Sequence, residues 1–217
     1  MAIQVQGNGG VIADVGGTTF RAMNTQVKPI EYGGFGHYKA TLRMSSTAAQ
    51  TANSRLLELQ NPSASILIVP TRLVIRALQT AAGTAQENSV DVYKATSFTV
   101  VSTVNAVTGA ASKKRTSMGS SLAAFRYLTL TGVAAGMTGS TATKDTLPIA
   151  TAPYNVAAAI NTNGPIATAD CFDDVNGTHP LVLAQNEGLV IENRILNVTS
   201  YGVTWFIDLA WAEVPAY

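Results

Sequence analysis

Hydrophobic and polar positions alternate with period two along most of this chain, and no segment repeats convincingly at helical spacing. The clearest case is the stretch 203–212. Val203, Trp205, Ile207, Leu209 and Trp211 fall on one face, with Thr204, Asp208 and Ala212 opposite. Helical spacing would put Trp205 and Asp208 on one side, so this stretch is a strand. Upstream, residues 189–196 set Leu189, Ile191 and Ile195 against Glu192 and Arg194, and residues 180–184 form a short apolar run. Between them Gly188 closes a turn, at a position that can take positive φ. Three successive strands of this kind predict a β-meander with one buried face.

The rest of the chain repeats the theme. Tyr38, Ala40, Leu42 and Met44 oppose His37, Lys39, Thr41 and Arg43. Val90, Val92 and Lys94 oppose Asp91, Tyr93 and Ala95, with residues 98–101 as an extension. Further short strands are predicted over 55–59, 66–69, 73–78, 125–131, 147–150 and 154–160. Pro70 separates two of them, because proline cannot donate to a ladder. Residues 80–88, 105–121, 138–146 and 161–178 read as polar loops. The first 27 residues place Gly7, Gly9, Gly10, Gly16 and Gly17 around Val11, Ile12, Val15 and Phe20. Such a Gly-rich segment loses much entropy on ordering, so it reads as an extended N-terminal arm laid across a neighbouring surface. Residues 28–217 then form one domain. Eight to ten short strands with turns between them predict an all-β, antiparallel, jelly-roll-like β-sandwich, with a fibronectin-like sandwich as the alternative.

Composition changes this picture in one respect. Charged residues are 12% of the 217 positions, about half of the usual share of about 25%. A surface so poor in charge is weakly protected against association, so much of it is expected to be covered by other subunits. Fourteen basic against thirteen acidic residues leave a net charge of +1. No chain-wide field therefore steers the protein to nucleic acid or to a membrane. The lone Cys171 excludes an intrachain disulfide and a thiolate metal cluster. The first ten residues lack a basic region followed by an apolar one, and no apolar run approaches the roughly 18 residues of a membrane span. The chain is expected to be made in a cytoplasm.

Candidate chemistry is sparse. The run Asp14-Val15-Gly16-Gly17-Thr18-Thr19 is similar to the first phosphate loop of glucokinase-family sugar kinases. Those enzymes need alternating strands and helices, whereas an all-β pattern follows here, so a Gly-rich turn is the preferred reading. Lys113-Lys114-Arg115 reads as an exposed basic tip. If it engages a partner, an acidic protein surface fits better than nucleic acid, because no aromatic residues interleave with it. Asp170, Asp173, Asp174 and Asn176 offer oxygen ligands suited to Ca²⁺, but their spacing departs from the EF-hand and equally makes an Asx turn. His37, His179 and Cys171 have no visible catalytic partner. No catalytic residue, cofactor or metal is expected. Val11, Ile12, Val15, Phe20, Lys113, Lys114 and Arg115 are the candidate assembly contacts.

Several stretches together carry a family resemblance. Thr18-Thr19-Phe20-Arg21-Ala22-Met23 leads through Lys28-Pro29 to Tyr32-Gly33 and Gly36-His37-Tyr38. Arg115-Thr116-Ser117-Met118-Gly119 stands in the middle, and residues 179–191 with Trp211-Ala212-Glu213-Val214 close the pattern. The chain resembles a group of tailed-bacteriophage virion proteins. That resemblance implies a non-enzymatic structural subunit, and a capsid decoration or cement protein is the leading expectation. Its expected partners are the major capsid protein and further copies of itself, with a homotrimer favoured. Its expected location is the virion, assembled in the host cytoplasm. A tail-associated or receptor-binding β-sandwich is the alternative.

Overall fold

The structure, a computed structural model, describes residues 3–6, 12–15, 36–46, 50–114, 116–128, 136–159, 167–170, 180–194 and 202–215. The chain divides into two units, Met1–Ile30 and Glu31–Tyr217. In the first, β1 (Ile3–Gln6) and β2 (Ile12–Val15) pair antiparallel, with Ile3 opposite Val15 and Gln6 opposite Ile12.

The second unit begins with four long strands, β3 (Gly36–Ser46), β4 (Ser54–Gln60), β5 (Ile66–Gln79) and β6 (Gln86–Phe98). Four short ones follow: β7 (Ala106–Thr108), β8 (Ser112–Lys113), β9 (Ala124–Leu128) and β10 (Ala142–Lys144). The last four are β11 (Ala150–Val156), β12 (Ala167–Asp170), β13 (Gly188–Asn193) and β14 (Val203–Pro215). They form two antiparallel sheets. One has the order β12-β5-β14-β3-β8. In the other, β10 and β11 share one edge of β6, followed by β13, β4, β9 and β7.

The pairing follows one rule. β3 pairs with β14, β4 with β13, β5 with β12 and β6 with β11. The chain is thus a long antiparallel hairpin whose successive rungs go alternately to the two sheets, and whose roll closes where β14 meets β5 and β13 meets β6. That is a jelly roll. Residues 99–149 are an excursion from the far end of this hairpin, and they contribute β7 to β10 to the edges of both sheets.

Alternating side chains from the two sheets meet in the core. Trp205, Trp211, Tyr38, Met44, Leu57, Leu59, Ile75 and Ile191 are fully or almost fully buried there. Trp211 links the sheets: its ring stacks at 6.0 Å on Tyr38 of β3 and lies 6.3 Å from Phe125 of β9. Its Nε1 donates to the buried carboxylate of Glu213 at 3.2 Å. The same carboxylate accepts from the Ser121 hydroxyl and from the amides of Leu122 and Ala123. Glu213 therefore ties the excursion to the last strand. A buried carboxylate persists only when its oxygens are so occupied.

Several sequence expectations need correction. Strands 189–196 and 203–211 do not form a meander, because β13 and β14 lie in different sheets. Alternation reveals which faces are buried, and leaves the choice of partner strand open. Residues 180–184 contribute one isolated bridge, Leu183 to Ile68, in place of a strand. The separate strands expected around Pro70 are one strand, β5. Ala210 faces Arg72 and Trp211 faces Pro70, so Thr71 is an extra residue and a β-bulge absorbs the proline. The loops at 105–121, 138–146 and 161–178 contain β7 and β8, β10, and β12 respectively. In the turn before β13 the positive φ belongs to Asn186, at 64°. Gly188 is needed for another reason, since a Cβ there would strike the Leu59 carbonyl oxygen and the Phe98 ring.

The two tryptophans differ in a testable way. Trp205 is buried with no acceptor for its Nε1, whereas Trp211 donates to a carboxylate. Hydrogen bonds to charged groups contribute about 1.5–3 kcal/mol, and an orphaned buried donor costs about 1–3 kcal/mol. Trp211→Phe is expected to destabilise the fold by about 2 kcal/mol more than Trp205→Phe, measured by urea unfolding at constant slope. Equal midpoints would remove the Glu213 bond from this account.

Candidate functional site

The outer face of the sheet built on β14 carries a cleft of about 410 Å³. Strand register assembles it. On β14, Ala210 faces outward, with Lys39 of β3 directly across one edge and Arg72 of β5 across the other. The two cationic positions are thus two strand spacings apart, about 10 Å between Cα atoms. The small Ala210 leaves a low floor between them. The bulge adds Thr71 beside Arg72 on one wall. Lys114 adds a third cation on the other wall, held there by its amide bond to the His37 carbonyl at 3.0 Å. Asp208 closes one end and pairs with Arg76 at 3.2 Å.

Lys39, Arg72 and Lys114 are exposed, and among the described residues they make no ion pair or side-chain hydrogen bond. Beyond the row of Asp208 and Thr41, the same face adds Arg43, stacked over Phe206 with its guanidinium carbon 5.9 Å from the ring centroid. This face is therefore cationic in a chain whose net charge is only +1.

Three of the described acids lie elsewhere, under cover. Glu58, Asp91 and Glu192 are 2% exposed or less, on the outer face of the other sheet. Arg55 bridges two of them, with Nη1 at 2.8 Å from Glu58 and Nε at 3.3 Å from Glu192. Lys144 pairs with the second oxygen of Glu192. Asp91 accepts from the Ser89 hydroxyl at 3.0 Å and lies 3.7 Å from Nε of Arg194. The Ser102 amide donates to Glu58 at 2.8 Å, so the segment after β6 folds over this face. There Val101 and Ala142 cap a second small apolar cluster of Ala95, Phe98 and Val190. These carboxylates are saturated with donors and closed to solvent. In this state they hold the cover in place and cannot reach a substrate. Breaking such a network leaves a buried charge uncompensated, so Glu58→Ala is expected to lose about 3 kcal/mol of unfolding free energy. A chemical denaturation curve superimposing on wild type would contradict that.

Two phenols feel the buried acids. Burial raises the Tyr93 pKa above its ordinary 10.0, and the Asp91 and Glu192 carboxylates push it further. Burial, and then Glu213, raise that of Tyr38 likewise. A pKa higher in the folded than in the unfolded chain gives stability that is complete below pH 10 and is lost as pH rises further. Unfolding midpoints are therefore expected to fall above pH 10, and Tyr93→Phe is expected to flatten that fall. A variant with an unchanged alkaline slope would exclude Tyr93 as a cause.

A different feature marks the excursion. Val100, Val104, Val107, Leu122, Leu147 and Ile149 are the large apolar side chains left exposed among the described residues. All of them fall within residues 99–149. Leu147 is the most open, at 76%.

The structure treats the sequence candidates unevenly. Lys113 sits in edge strand β8, opposite Tyr38, and Lys114 enters the cleft. Arg115, Val11, Phe20, Asp173, Asp174, Asn176, Cys171 and His179 lie outside the described residues. So does the glycine run after Val15. Ile12 and Val15 are placed only as backbone of β2, and Asp170 only as backbone of β12, opposite Val74. His37 stands on the cationic face of β3, opposite Ala212. Among the described residues no group of three or more His, Cys, Asp or Glu could hold a metal ion. Sequence reasoning missed Arg72 as a partner of Lys39 and Lys114, because the three meet only through the register of three strands. Comparison with protein families, curated proteins and solved structures finds no match to this chain.

Proposed function

We propose that this chain is a non-enzymatic structural subunit of a virion, acting as a capsid decoration or cement protein. In this reading it forms homo-oligomers, trimers by preference, and bridges major capsid proteins. The fold alone is neutral, since jelly rolls serve capsid subunits, lectins and cupin enzymes alike. The observation that carries the reading is the excursion 99–149. It holds all the large apolar side chains left exposed among the described residues, on segments at both edges of the sheet, in a chain with little charge to keep copies apart. Leu147, the most exposed of them, is the contact most in need of cover. The family resemblance in the sequence points the same way, as does the Gly-rich segment before residue 28.

The test is light scattering with size exclusion on the purified chain, alone and mixed with empty phage heads. A defined oligomer that binds heads at fixed stoichiometry is expected. Leu147→Asp combined with Ile149→Asp is expected to weaken self-association by at least about tenfold, because each buried aliphatic side chain contributes about 1.5–3 kcal/mol. An oligomer that ignores heads but adheres to host cells would transfer the chain to the tail-associated class. A monomer that binds neither would overturn the proposal.

A further inference from the structure

The described side chains partition charge inside-out. Glu58, Asp91, Glu192 and Glu213 are buried and occupied by internal donors, while Glu187 and Asp208 pair with Lys94 and Arg76. Among the described acidic side chains, only Glu87 and Asp145 stand outside these arrangements. The cations are arranged otherwise. Lys39, Arg43, Arg72 and Lys114 project from one sheet face, with Asp208 as the acid among the described side chains there. A folded chain that spends its carboxylates inside and leaves these cations outside has a surface complementary to anions.

We infer that the cleft over Ala210, with the cationic face around it, is the docking surface for a carboxylate-rich segment of a neighbouring protein. This inference rests on the assembly reading only for the identity of that neighbour. Three features select the occupant. The cleft runs between two strands' side chains, and the Cα atoms of the cationic residues on its two walls are about 10 Å apart, so two carboxylates of one extended peptide can each meet a different cation. Asp208 lowers the positive potential at one end, which suits singly charged carboxylates better than a dense phosphate backbone. The aromatic ring on this face, Phe206, is half-buried and already covered by Arg43, so nucleic-acid bases have no stacking platform there.

The probe is a fluorescein-labelled peptide of alternating Glu and Ala, followed by fluorescence anisotropy on the full chain at low and physiological ionic strength. Binding is expected, weakening with salt. Arg72→Glu and Lys39→Glu are each expected to reduce it by about tenfold or more, and Arg72→Lys to retain most of it. Thr151→Glu with Asn155→Glu, exposed positions on β11 in the other sheet, makes the same change in net charge as Arg72→Glu. That control is expected to bind nearly as wild type. An equal loss in the control would reduce the effect to bulk charge and overturn the site. Tighter binding of a single-stranded oligonucleotide, abolished by Arg72→Glu, would overturn the carboxylate assignment. Phage heads separate the two readings. Heads that bind wild type and Arg72→Glu equally would overturn the docking surface and leave the assembly reading intact. Peptide binding lost in Arg72→Glu, with heads that bind neither protein, would keep the site and overturn the assembly reading.

Discussion

The whole sandwich hangs on the last strand. β14 pairs with β5 along its full length and with β3 from Val203 to Glu213, so it is the seam at which the rolled hairpin closes. Its inner face supplies both tryptophans to the core, and its outer face supplies the floor of the cationic cleft. Glu213, near its end, fixes the excursion by accepting from Ser121, Leu122 and Ala123. Core, cleft and excursion therefore share one strand. A shift of β14 by a single residue would exchange its two faces and dismantle all three.

The distribution of charge follows from this architecture. A jelly roll wants both faces of its central strands covered, and β13 is buried at every position. Apolar residues answer that demand on the inner face. On the outer face the chain uses carboxylates held by Arg55, Lys144 and main-chain amides. Such networks add little net stability, but they are strict about geometry, since any displaced member leaves a bare charge. Their effect is to fix where the excursion lies. Among the described residues, the exposed cations of the opposite sheet have no such carboxylate partners apart from Asp208 with Arg76.

Much of the fold was legible because side-chain alternation is local. The faces of β3 and β14, and the end of β4 before Pro62, follow directly from residue order. What could not be read was which strands touch. Leu189 and Trp205 look alike as strand residues, yet they belong to opposite sheets. Glu192 looks like a solvent-facing residue and is buried, because its cover comes from segments far along the chain. Lys113 and Lys114 were visible as a basic run, whereas their neighbours in space were not. Arg72 joins them only because a bulge at Thr71 sets the register of β5 against Ala210. Pro70 marked the irregularity, but a break and a bulge have the same sequence signature.

The closing of the roll also bears on how the chain is born. The first strand of the sandwich finds its long partner only in β14, far along the chain, so the sheet built on β14 stays incomplete until that strand has been made. A ribosome-bound intermediate would hold β3 and β5 apart as strands with the seam between them unfilled. Folding is thus expected to be slow, as for other chains dominated by pairings distant in sequence. Unpaired edges in that interval are open to strands from other chains. Folding and association would then compete for the same edges.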